Sequence, residues 1–114
     1  MTLQELQAQL ITFRDERNWK QFHNPKDSSI SLVLEATEVL EHFQWKNKEE
    51  METHVAEKKL EISEELADVL YWVLLLSHDL DINLEKAFIA KLHKNALKYP
   101  VAKAKDNHKK YAEL

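Results

Sequence analysis

A chain of 114 residues, 44% hydrophobic and 32% charged, with a formal net charge of -4, has room for one modest core and the make-up of an ordinary globular domain. The absence of Cys excludes disulfides, thiolate metal centres and a thiol nucleophile. The absence of Gly disfavours sheets built on tight hairpins, and the acidic balance argues against general nucleic-acid binding, so the expectation is an all-α single domain over residues 1–114.

"MTLQELQAQL" lacks the charged head and continuous apolar run of a signal peptide, and no stretch reaches the length of a membrane span, so a cytoplasmic protein without a membrane partner is expected. Thr2 to Glu5 match a capping box, and Leu3, Leu6, Leu10 and Phe13 recur at helical spacing, which predicts a first helix ending at about Arg17. "NWKQFHNPKDSS" breaks the period; Asn24-Pro25 reads as a turn, with Asp27, Ser28 or Ser29 as the cap of a second helix from about Ser29 to Lys46. A short connection in "KNKEEMETHV" then opens a long third helix ending near Asp79. Asp81 or Asn83 caps a fourth, carrying Leu84, Ala87, Phe88 and Leu92, which Pro100 stops. The tail after about residue 100 is basic: seven lysines lie from Lys91 to Lys110. "VLYWVLLL" in the third helix is apolar on every side; it is either a central core helix or, in the reading favoured here, part of a homodimer interface.

Two helices place acids at the edge of an apolar stripe. In the second, Glu35 and Glu38 border Leu32, Ala36, Val39, Leu40 and Phe43. In the third, Glu61, Glu65, Asp68 and Trp72 form one stripe beside Ile62, Leu66, Val69, Leu70 and Val73. A helical Glu is ordinarily a solvated residue paired with Lys four positions on. Here the residues four after Glu35, Glu38, Glu65 and Asp68 are Val39, His42, Val69 and Trp72, and none is Lys or Arg. Crowded carboxylates repel one another unless a cation binds them, and a hard divalent ion, Mg²⁺ or Mn²⁺, suits oxygen ligands. A di-iron bundle would need Glu-x-x-His, which is missing at all six histidines. Lys91, Asn95 and Tyr99, spaced by four with Lys98 alongside, offer cations and donors for phosphate oxygens, and Trp19, Phe22, Trp45 and Trp72 offer flat surfaces for a base. Solvated lysines and core aromatics are the plainer readings of each residue taken alone.

Glu35-x-x-Glu38, a gap of 26 residues and Glu65-x-x-Asp68 resemble the Mg²⁺ motif of the all-α nucleoside triphosphate pyrophosphatases, the MazG and dimeric dUTPase superfamily. "ERNWKQFHNPK", "FQWK", "EELADVL", Lys91-x-x-x-Asn95-x-x-x-Tyr99-Pro100 and "KYAEL" resemble its dCTP pyrophosphatase branch over nearly the whole chain. The resemblance implies a four-helix bundle of the MazG-like type, packed as a homo-oligomer, either a tetramer built as a dimer of dimers or a dimer. It implies conversion of a dNTP, dCTP-like first and other dNTPs also, to dNMP and pyrophosphate, as nucleotide-pool house-cleaning. Mg²⁺ would be held by Glu35, Glu38, Glu65 and Asp68, with Glu35 or Glu38 as the catalytic base. The phosphates would meet Lys91, Asn95, Lys98 and Tyr99, and the base Trp19, Phe22, His23, Trp45 and Trp72. The branch has His at the position of Leu10, Gly at Leu34 and Tyr at Trp72, and two of these, Leu10 and Trp72, fall at the base pocket by that match. A non-catalytic helical module that binds nucleotides or a protein is the competing expectation.

Overall fold

The computed structural model describes all 114 residues, and every regular element in it is helical. The chain forms two compact units, Met1–Asp81 and Ile82–Leu114.

In the first unit, helix α1 spans Leu3–Glu16 and starts as its sequence dictates: the Thr2 hydroxyl accepts the Glu5 backbone N–H at 3.1 Å, while the Glu5 carboxylate takes the Thr2 N–H. A single 3₁₀ turn, Lys20–Phe22, leads to helix α2, Pro25–Glu41. The predicted start at Ser29 is too late, because Asn24-Pro25 opens the helix instead of interrupting it. Asn24 Oδ1 accepts the Asp27 N–H at 2.9 Å, and Pro25 occupies the first helical position, where a missing N–H costs nothing. The predicted end at Lys46 is also corrected. The Phe43 and Gln44 N–H groups both donate to the Leu40 carbonyl, and Trp45 takes φ 69°, a left-handed conformation that ends the helical run.

Helix α3, Lys48–Asp79, is capped by Asn47 and Glu50 in a second capping box, and non-helical angles at Lys58 (φ −118°, ψ 23°) kink it between His54 and Glu65. Both α2 and α1 pack against α3. The buried apolar residues are Leu10, Leu74 and Leu75, and around them α1 is tied to α3 by polar bonds. Gln7 Nε2 donates to the Leu74 carbonyl at 2.8 Å and to Ser77 Oγ at 3.1 Å, and the fully buried Arg14 pairs with Asp79.

The inner faces of α2 and α3 match the predicted stripes only in part. In α2 the sheltered positions are Ser28, Ser31, Leu32, Glu35 and Val39, whereas Ala36 and Leu40 are exposed. In α3 they are His54, Ile62, Glu65, Val69 and Val73, while Leu66 is 53% and Leu70 38% exposed. Each helix therefore turns a carboxylate inward beside its sheltered apolar residues and leaves some leucines to solvent, which an amphipathic pattern does not select in a lone chain.

In the second unit, Asn83 is the cap of helix α4, Leu84–Lys98, accepting the Lys86 N–H at 3.0 Å. The basic tail is structured: a one-turn helix α5, Val101–Ala104, is followed by a 3₁₀ turn, Tyr111–Glu113. Tyr111 stands edge-on to Tyr99, with ring centroids 6.2 Å apart, and Lys98 Nζ lies 4.8 Å from the Tyr111 ring centroid. No helix is long and apolar enough to cross a membrane.

Candidate functional site

The pairing of α2 with α3 brings the four predicted acids into one neighbourhood. Glu35 and Glu38 rise from α2 at three-residue spacing, Glu65 and Asp68 from α3 beyond its kink. Glu35 and Glu65 are half-buried, while Glu38 and Asp68 are exposed. The Glu35 carboxyl titrates above its ordinary value of 4.5, first because burial penalises the anion, then because of the Glu38 carboxyl beside it and the charges of Asp68 and Glu65. Oε2 of Glu35 is shut off from solvent without a hydrogen-bond partner. Oε2 of Glu65 likewise accepts no aligned hydrogen bond, and only Nε2 of His42 stands against it in a close polar contact.

A buried carboxylate oxygen without a donor is costly, and neighbouring negative charges add to that cost. Hard oxygen donors that repel one another, with no Lys or Arg paired to them, fit a hard divalent cation. In the single chain the four approach without closing, and no three His, Asp or Glu side chains converge as a ready ligand cluster.

Of the residues expected near the base, the fold joins some and leaves others apart. His23 and Trp72 meet edge to face at 5.4 Å between centroids, and Tyr71 packs on Trp72 at 5.1 Å. Burial and the Arg14 charge hold the His23 imidazole below its ordinary pKa, so it stays neutral more readily, and its Nδ1 has no partner. Trp19 packs against Phe13 at 5.7 Å, and Phe22 is exposed. Trp45 is 91% exposed in a left-handed backbone conformation, an uncommon one for a bulky side chain. Leu10, placed at the base pocket by family resemblance, is a core residue of the first unit. An open depression in that unit is lined by Lys20, His23, Asn24, Pro25, His78 and Asp79.

The expected phosphate ligands belong to the second unit. Lys91 and Lys98 are exposed on α4, Asn95 is half-buried, and Tyr99, the residue closing α4, donates its N–H to the Asn95 carbonyl at 2.9 Å.

Sequence reasoning missed His42 and His54. Nδ1 of His42, which follows the last residue of α2, lies 2.6 Å from Nε2 of His54 on α3, while its Nε2 meets Glu65. The available signal was spacing: His42 stands four residues after Glu38 and seven after Glu35, on the same side of α2.

The chain is similar to known proteins over most of its length. The MazG-like family matches residues 30–114, a span that includes all four acids. The dCTP pyrophosphatase 1 proteins of Rattus norvegicus and Homo sapiens are each 33% identical to this chain over 115 residues, covering 99% of it and 68% of their own length. Among solved structures, a pyrophosphatase from Archaeoglobus fulgidus superposes with a TM-score of 0.80 at 40% identity, over 85% of this chain and 91% of that one. With three quarters of its length inside the family match and its acids on facing helices, the chain belongs to the MazG-like family of all-α nucleoside triphosphate pyrophosphatases.

Proposed function

We propose that this chain hydrolyses a deoxynucleoside triphosphate to the monophosphate and pyrophosphate, dCTP-like substrates first and other dNTPs also, and so clears surplus or non-canonical nucleotides. The observation that carries the reading is the gathering of two half-buried carboxylates, Glu35 and Glu65, from α2 and α3, with Glu35 Oε2 shut off from solvent and without a hydrogen-bond partner. The pyrophosphatase activity in the names of its relatives supports the reaction class.

Glu35, Glu38, Glu65 and Asp68 are the residues that would hold Mg²⁺ or Mn²⁺, which when bound polarises a phosphoryl oxygen and makes water a stronger nucleophile. The rest is the work of the chain itself. Glu38, exposed beside the half-buried Glu35, accepts the proton of the attacking water on a carboxylate oxygen. Lys91 and Lys98 offset charge on the phosphate oxygens, and Asn95 and Tyr99 donate hydrogen bonds to them. His23 and Trp72, with Trp19, Phe22 and Trp45, supply edges and faces for the base.

A second copy of the chain covers the solvent-facing leucines of α2 and α3, Leu34, Leu40, Leu66 and Leu70, giving a dimer or a tetramer formed from two dimers.

The test is a panel of dNTPs with Mg²⁺ in which the products are resolved. Release of pyrophosphate with dCTP leading is expected. Orthophosphate alone, or no turnover with any dNTP, overturns the proposal. Nucleotide binding indifferent to Mg²⁺, without turnover, points instead to a non-catalytic binding module.

A further inference from the structure

We propose that His42, held by His54, is a positioning residue that fixes the Glu65 carboxylate for the divalent cation. The inference rests on the assignment of Glu65 as a metal ligand.

Three groups, one just past the end of α2 and two on α3, form one chain of contacts: Glu65 Oε2 to His42 Nε2, and His42 Nδ1 to His54 Nε2 at 2.6 Å. A carboxylate can only accept, so the ring nitrogen against it must carry hydrogen. With that hydrogen on Nε2, the Nδ1 atom of a neutral His42 accepts from Nε2–H of His54; in a protonated His42 it donates to an unprotonated Nε2 of His54. Both states present the same N–H to Glu65. Two half-buried imidazoles at this separation cannot both turn their lone pairs toward each other, so His54 restricts the orientation of His42 as well as its position.

The placement is specific to a carboxylate that needs aiming. His42 is the residue just past the end of α2, still with right-handed helical angles (φ −65°, ψ −25°), and His54 and Glu65 lie on opposite sides of the α3 kink at Lys58. The chain of contacts therefore links the end of α2 to both sides of the α3 kink. Without it, Glu65 would lose its close contact with His42 and be freer to turn. Hydrogen-bonding partners of metal-ligating carboxylates act in this manner, and their loss costs about 10–100-fold in metal affinity or activity.

The experiment is Mn²⁺ binding to the full chain without nucleotide, followed by electron paramagnetic resonance, in wild type, His42→Leu, His42→Gln, His54→Leu and Asp68→Asn, with circular dichroism as a check on folding. Expected are a loss of at least about tenfold in Mn²⁺ affinity for His42→Leu, a smaller loss for His54→Leu, and recovery in His42→Gln, whose amide can replace the N–H donor. Unchanged or tighter Mn²⁺ binding in His42→Leu, with wild type and Asp68→Asn clearly separated, overturns the role of His42 alone; tighter binding would mean that the imidazole competes with the cation. Absence of Mn²⁺ binding in wild type overturns the metal assignment and this inference with it. Should His42→Leu fail to fold, His54→Leu decides: equal affinity to wild type overturns the proposal.

Discussion

Nη1 of Arg14 donates to both carboxylate oxygens of Asp79, at 3.0 and 2.8 Å, with the Arg14 side chain only 1% exposed. The pair joins α1 to the end of α3 across 65 residues of sequence. Removing one partner strands a buried charge, so Asp79→Ala is expected to destabilise the chain by about 3–5 kcal/mol in urea unfolding. The double variant Arg14→Met, Asp79→Leu should recover most of that loss, because it removes both desolvated charges and keeps the volume. A cost below about 1 kcal/mol for Asp79→Ala would show that water reaches the guanidinium.

Glu35 should make the metal-free protein less stable as pH rises. Its folded-state pKa lies above the ordinary 4.5, so between those values the folded chain keeps a proton that the unfolded chain has released. The penalty is absent below 4.5 and complete above the folded pKa. Glu35→Gln removes it. Without metal, this variant is expected to melt above wild type at neutral pH and level with it in acid. With Mn²⁺ in large excess the order reverses, since wild type gains about 2.7 kcal/mol at a hundred times Kd and the variant gains little. Equal melting temperatures at neutral pH without metal would contradict the crowding of the four acids.

Much of this was legible in the sequence, for physical reasons that also set the limit. Capping boxes are local, and Thr2 with Glu5 marked the start of α1 correctly. Asn24-Pro25 is equally local but ambiguous, since Asn before Pro serves a turn and a helix start alike, and α2 begins there. The four acids were legible because helical spacing and missing basic partners are sequence properties. His42 with His54, and Arg14 with Asp79, were not, because contacts between helices depend on their rotation and register. Periodicity placed the inner face of α2 only in part, since Leu32 and Val39 are sheltered as expected. It assumed that leucines select the face, whereas Glu35 is sheltered and Leu40 exposed, an arrangement that makes sense once a second copy and a cation are supplied.

His23 sets an acid limit of the opposite sign. Its folded pKa lies below 6.5, because burial and then Arg14 disfavour the imidazolium, so the unfolded chain binds the extra proton. The stability associated with neutral His23 is present above 6.5 and is lost as pH falls through the folded pKa. His23→Gln is expected to flatten the stability profile in that window while keeping a polar group beside Trp72. Chemical denaturation as a function of pH measures it. A wild-type profile already flat there would show that His23 is solvated like an ordinary surface histidine.

Trp45 is strained and exposed together. The chain has no Gly, and its left-handed positions are Asn18, Trp45, Asp81 and Asp106; three are the Asn or Asp that tolerate this region, and the fourth is a bulky aromatic. A left-handed non-glycine residue costs about 1–2 kcal/mol, and an indole 91% exposed returns little burial in exchange. Strain without local compensation is reasonable where the side chain serves a ligand, and stacking on a base is worth roughly 1–3 kcal/mol. Trp45→Gly should therefore melt at or above the wild-type temperature while KM for the preferred dNTP rises by about tenfold, the equivalent of 1.4 kcal/mol. Trp45→Phe should keep much of the affinity and all of the strain. A large fall in melting temperature for Trp45→Gly, with KM unchanged, would assign the indole to subunit packing instead of the base.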